Sequence, residues 1–292
     1  MYQDVLVPVT AESNETRVLY HVGELAVALD ADVTLLAVAD TTRDSVTVVE
    51  GEVVDALESE GEQALEEAAD VLESLGLDPQ TEVVQGAPAE TIVDYADRYD
   101  HDLVAMATHA RTGLRRYLLG SVTEKVVRLS PVPVLTARAD EEEELRFPYE
   151  RVLVPVDGSE ASTRASEHGL ALASALDASV DVLSVVDTSG LGPDVRGELV
   201  SEQGRSAAQG AVRAVADDAA DRGIDDVRTE VDEGRPGDVI SAYVDDHAVD
   251  AVVMGTTGRT GLDRVLLGSV AEETVRTAPV PVVTVRDGEN EA

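Results

Sequence analysis

The chain has 292 residues, 43% of them hydrophobic, and carries 59 acidic against 22 basic residues for a net charge of −37. That length suits two domains of about 150 residues, and the apolar fraction is enough for real cores, which sets wholesale disorder aside. The lack of cysteine excludes disulfides, thiolate metal sites and cysteine nucleophiles, and the acidic field excludes nucleic acid and anionic membranes as partners.

In chain order, residues 5–9 form a near-continuous apolar run, the pattern of a strand buried on both faces. Residues 16–29 place Val18, Leu19, Val22, Leu25, Ala26 and Leu29 at helical spacing, and 33–38 read as a second buried strand. A long amphipathic helix is expected over 53–75, ended by Gly76, followed by a strand over 81–84. Pro88 opens a helix to Tyr99 at the first-turn position where proline is tolerated. A strand at 103–107, a helix at 121–129 and a strand at 132–136 complete the set. From Arg151 to Val285 the same order returns.

The return is a duplication. Asp4-Val-Leu-Val-Pro-Val9 recurs as Arg151-Val-Leu-Val-Pro-Val156, and Ser130-Pro-Val-Pro-Val134 as Ala278-Pro-Val-Pro-Val282. Across 107–121 and 255–269, 10 of 15 positions are identical, so the period is a whole domain and not a solenoid unit. The organisation expected is domain 1 at 1–138, an acidic linker at 139–149, domain 2 at 150–287 and a tail at 288–292. Alternating apolar strands and helices imply a doubly wound parallel α/β sheet in each domain.

The absence of an 18-residue apolar run or a basic, then apolar, leader points to a cytoplasmic protein without a membrane span. Lys125 is the only lysine, and the acid is spread along the whole chain. This pattern is read as adaptation to a high-salt cytoplasm, where screening over ~3 Å at 1 M removes most self-repulsion.

The strongest local signal is Gly255-Thr-Thr-Gly258, nine residues, then Gly268-Ser269, running from an apolar strand to a helix start. Glycines let backbone N–H groups approach a phosphate, and a helix N-terminus favours negative charge. The same residues fit a second reading: Ser269-Val-Ala-Glu272 and Ser121-Val-Thr-Glu124 both match a capping box that needs no ligand, and the glycines would then serve a turn. Asp157, after the first strand of repeat 2, is either a turn or cap residue or an acceptor for a ribose or base. Strands 1 and 4 of such a sheet flank the point where strand order reverses, and ligands bind there.

Together these motifs resemble the universal stress protein family, in the tandem two-domain form of the haloarchaeal members, over nearly the whole chain. The intact Gly-x2-Gly-x9-Gly-Ser of repeat 2, Val-Pro-Val-Asp157 and the last-strand Pro-Val-Pro-Val carry the likeness. The resemblance implies two five-stranded parallel sheets in the order 3-2-1-4-5, helices on both faces, and ATP in the switch-point cleft. It implies that Asp157 holds ribose or adenine, that the Val185 backbone meets the adenine, that Gly255, Thr257, Gly258, Gly268, Ser269 and Val270 surround the phosphates, and that Pro155, Val156 and Met254 also belong to the cofactor site. Mg²⁺ accompanying ATP, AMP or a cyclic nucleotide fits the same cleft. Repeat 1 departs from the pattern, with Thr10 for the aspartate and Ala107 and Ala110 for two glycines, beside Val38, His109, Gly120 and Ser121. A weaker or absent site is expected there, because each alanine adds a methyl group and restricts positive φ.

A P-loop, His-Glu-x-x-His and Gly-x-Ser-x-Gly are all missing, and Val156-Asp-Gly-Ser159 lacks the Ser-Gly-Gly-x-Asp-Ser loop of ATP pyrophosphatases. The five histidines are scattered and read as surface or cap residues, with no metal site; Arg259 and Arg264 either reach the phosphates or stay solvated. No general base stands ready. The expectation is an ATP-binding protein of stress or survival signalling with slow hydrolysis at most, against two alternatives: an interaction module without nucleotide, or a slow ATPase or AMP sensor. The apolar last strands are expected to pair the two domains within one chain, while the sequence leaves open whether two chains then associate as a homodimer.

Overall fold

The computed structural model describes residues 1–10, 16–41, 46–49, 52–108, 119–138, 145–188, 202–257 and 267–287. Two compact units emerge, Tyr2–Leu145, and Arg146–Ala292 together with Met1.

The first unit runs β1 (Asp4–Val9), α1 (Thr16–Leu29), β2 (Asp32–Asp40), β3 (Val46–Val49), β4 (Glu52–Asp55), α2 (Ala56–Glu73), β5 (Gln80–Gly86), α3 (Pro88–Arg98), β6 (Leu103–Thr108), α4 (Ser121–Leu129) and β7 (Val134–Arg138). Its main sheet is parallel in the order β5-β2-β1-β6-β7. Strands β1, β2 and β6 are largely apolar because both faces are covered, with Leu6, Leu35, Leu36 and Leu103 fully buried, whereas β5 is polar-rich and mostly exposed. Helix α1 packs on α2, and α3 on α4.

The second unit runs β8 (Arg151–Pro155), α5 (Glu160–Leu176), β9 (Ser179–Asp187), α6 (Glu202–Asp221), β10 (Val227–Gly234), α7 (Pro236–Asp246), β11 (Ala251–Gly255), α8 (Ser269–Thr277) and β12 (Val282–Val285). Its order, β10-β9-β8-β11-β12, is parallel at each of these pairings. The chain winds outward from β8 through β9 to β10, then returns to β8's other side with β11. The 3-2-1-4-5 order is therefore realised in both units, and the order reverses between β8 and β11.

Three expectations shift. The helix expected from residue 53 begins at Ala56, because 52–55 pair antiparallel with β3 as a two-stranded sheet of their own. The sequence Val46-Thr-Val-Val49, Glu-Gly, then Glu-Val-Val54 explains this: β-branched runs separated by two turn-forming residues favour a hairpin over a helix. The last strands start two residues late, at Val134 and Val282, after Pro133 and Pro281, which have no N–H to give to a ladder. Tyr149, read as the end of an exposed linker, is 1% exposed and matches the buried Tyr2 of repeat 1.

Both repeats fasten the start of the first strand in the same way. Asp102 accepts the backbone N–H of Gln3 (2.8 Å) and Asp4 (3.1 Å). In repeat 2, Asp250 accepts those of Glu150 (2.8 Å) and Arg151 (3.0 Å). The second unit also buries an ion pair: Asp181 on β9, 0% exposed, accepts from Arg151 (2.7 Å) and from the Tyr243 hydroxyl (3.0 Å). Burial, then the Asp181 charge, push the Tyr243 hydroxyl pKa upward. Among the described residues no helix is long and apolar enough to cross a membrane.

Candidate functional site

The C-terminal ends of β8 and β11 bring two loops together. Strand β9 outruns β8: Pro155 registers with Leu183, and the Val156 N–H donates to the Leu183 carbonyl (2.8 Å). Val185, half-buried, therefore stands on a ledge beyond the end of β8. Val156 and Met254 are buried in the core, at 6% and 4% exposure.

Asp157 closes the first loop. Its Oδ1 accepts the Ser159 N–H at 2.9 Å, the bond of an aspartate turn. Ser159 in turn caps α5, accepting the Ser162 N–H (3.2 Å), and its hydroxyl reaches the Thr257 carbonyl (3.4 Å). The β8 loop is thus tied to the glycine loop after β11.

The glycines have distinct physical roles. A Cβ on Gly255 would lie 2.8 Å from the carbonyl carbon and Cβ of Ala161 and 3.0 Å from the Ser162 nitrogen. Gly255 therefore lets the first turn of α5 lie against β11. A Cβ on Gly268 would lie 2.9 Å from the Thr256 carbonyl oxygen, which accepts the Gly268 N–H at 2.7 Å. Gly268 is the N-cap of α8 and makes no side-chain cap bond. Ser269 is then the first helical residue, so the capping-box reading fails here, and Gly120 before Ser121 corrects it in the same way in repeat 1. The four-residue pattern looks identical whether the serine caps the helix or opens it. The N-cap of α8 thus makes no side-chain cap bond among the described residues, an arrangement that suits an anion, though Glu272 stands in the same turn.

One pair was not foreseen. Thr257 donates its hydroxyl to Asp287 Oδ2 at 3.0 Å, while Asp287 Oδ1 is buried without a partner among the described residues. The signal available was comparative, since His109 and Ala139 stand at these positions in repeat 1. Gly258, Arg259 and Arg264 in repeat 2, and His109 and Ala110 in repeat 1, lie outside the described residues.

In repeat 1, Thr10 is exposed at the end of β1, and Val38 and Ala107 are half-buried at the ends of β2 and β6. Gly120 approaches only the Thr123 hydroxyl, at 3.7 Å from its built Cβ, without the tight contact of Gly268. The histidines are less superficial than expected: His21 is 1% and His101 7% exposed, while His247 ends α7 and stacks on Tyr243 at 3.9 Å. Among the described residues, no group of three or more His, Cys, Asp or Glu is arranged to hold a metal ion.

A sequence model of the universal stress protein family matches residues 1–138 and again 148–286. A universal stress protein of Methanocaldococcus jannaschii is 38% identical over 146 residues, 49% of this chain and 85% of its own. A solved universal stress protein of Archaeoglobus fulgidus covers 98% of both chains with a TM-score of 0.74 at 23% identity, a likeness of fold. A universal stress protein solved in complex with cAMP is 27% identical over 48% of this chain and 99% of its own, with a TM-score of 0.39. The two matched stretches, the strand order and the repeated loops lead to one statement of kinship: the chain belongs to the universal stress protein family, as two tandem copies of its domain.

Proposed function

We propose that the second repeat binds an adenine nucleotide, ATP, in the cleft between the ends of β8 and β11, and that the protein acts in stress or survival signalling with little or slow hydrolysis. The observation that carries this reading is the start of α8: a glycine N-cap, no side-chain cap, and the intact glycine motif leading into it. Phosphates would meet the first-turn amides of Ser269 and Val270, the base would lie along the Val185 ledge, and the Asp157 loop would face the ribose. These residues suit a bound anion because the glycine N-cap makes no side-chain cap bond, which leaves first-turn amides to meet it, although the first turn also carries Glu272. Repeat 1, with Thr10, Ala107 and Ala110, would bind more weakly. The cytoplasmic, high-salt setting and the pairing of domains or chains through the last strands belong to the same proposal.

Protein purified in molar KCl and then denatured should release adenine nucleotide, identified by mass, at one per chain. Empty protein that also takes up no ATP or AMP on titration would leave the interaction-module alternative. Phosphate release with Mg²⁺ would measure any hydrolysis.

A further inference from the structure

Repeat 2 holds two oxygen ligands that repeat 1 lacks. Thr257 gives its hydroxyl hydrogen to Asp287 Oδ2 at 3.0 Å, so the Thr257 oxygen has only lone pairs left to offer. Asp287 Oδ1 is shut off from solvent and takes no bond among the described residues. A buried carboxylate oxygen without a donor is costly, and such atoms ordinarily have a partner or a function.

Their position is tied to the anion end of the site. Thr256, the neighbour of Thr257, accepts the Gly268 N–H (2.7 Å) and donates its own N–H to Val285 (2.9 Å), two residues before Asp287. The uncapped start of α8 favours a phosphate, and the carboxylate beside it opposes one. A divalent cation between them satisfies both. Hydroxyl and carboxylate oxygens are hard ligands, and Mg²⁺ commonly takes one or two carboxylates, phosphate oxygens and water. Among the described residues no group of three or more His, Cys, Asp or Glu is arranged for a metal, so here phosphate oxygens and water would complete the shell.

The geometry points to Thr257 and Asp287 as the protein half of a divalent-cation position that makes repeat 2 select metal-complexed nucleoside triphosphate over monophosphate. This rests on the nucleotide reading above. It assigns the selectivity to a pair whose counterparts in repeat 1, His109 and Ala139, do not supply the same two oxygens.

The test is calorimetric titration of the full chain in molar KCl with ATP or AMP, each in Mg²⁺ or in EDTA. ATP should bind about tenfold or more tightly with Mg²⁺, and AMP nearly equally in both. Asp287→Asn should keep the wild-type unfolding transition yet bring the ATP ratio toward one, and Thr257→Val should lower it in part. With Mn²⁺ as the probe, its electron paramagnetic resonance signal should shift in the ATP complex of the wild type and not of Asp287→Asn. AMP binding together with metal-independent ATP binding would overturn this inference alone, as would an undiminished ratio in Asp287→Asn. Failure of both nucleotides to bind under every condition would overturn the nucleotide reading and this inference with it.

Discussion

Gly255→Ala isolates the packing role of the first motif glycine. The added Cβ would sit 2.8 Å from two carbons of Ala161 and 3.0 Å from the Ser162 nitrogen. Carbon contacts are comfortable at about 3.5–4.0 Å, so the first turn of α5 must retreat by roughly 0.7 Å. Two of the three opposing atoms are backbone, which no rotamer change can move. Overpacking of this kind costs about 1–3 kcal/mol. The retreat would pass to Ser159, which caps that turn, and through the Ser159 N–H to Asp157. Guanidinium unfolding of the full chain in molar KCl should show the loss, and nucleotide titration should show weaker binding. Adding Ala161→Gly removes one opposing carbon and leaves the carbonyl carbon, so the double variant should regain part of the stability. An unfolding midpoint equal to the wild type, or no recovery in the double variant, would refute the packing account.

The remaining expectations concern stability. Ala248 holds φ at 49°, a left-handed conformation without glycine, so Ala248→Gly should stabilise by about 1 kcal/mol in the same unfolding assay. Arg151→Met should cost about 3–5 kcal/mol by leaving the fully buried Asp181 without its cation, and a joint Arg151→Met, Asp181→Val replacement should recover most of that. Burial lowers the His21 pKa from 6.5 to about 4, so the native state keeps His21 neutral while the unfolded chain takes up a proton. Stability from this group is present above 6.5 and lost as pH falls, by roughly 3 kcal/mol near pH 4. The difference between wild type and His21→Leu across that range measures it. Tyr243 has the opposite sign: its raised pKa stabilises below the ordinary value of 10.0, and that contribution is lost as pH climbs beyond it. Tyr243→Phe should flatten this alkaline fall.

The fold was legible because its strands are near-continuous apolar runs and the whole pattern occurs twice. Each of those facts depends on neighbours along the chain. What escaped depends on partners far along it. Gly255 reads as a phosphate glycine until Ala161 is found against it, and Asp287 is unremarkable until Thr257 is placed beside it. Asp181 in a buried strand reads as a flaw until Arg151 and Tyr243 supply its donors. The 53–55 segment left the helix for a local reason, since the adjacent Val53 and Val54 follow another β-branched run at 46–49 and propensity favoured the hairpin. For the α8 start, the sequence gives no way to tell a serine cap from a serine one position inside the helix.

The fastenings made by Asp102 and Asp250 lie at the rim of each sheet opposite the ligand loops. Each copy therefore anchors its architecture with residues remote from the candidate-site loops. The two copies share this frame yet differ at the opposite loops, where Thr10, Ala107 and Ala139 stand against Asp157, Gly255 and Asp287. A frame held from its far rim therefore lets the loops of either half vary, so the nucleotide site proposed for one half places no demand on the loops of the other.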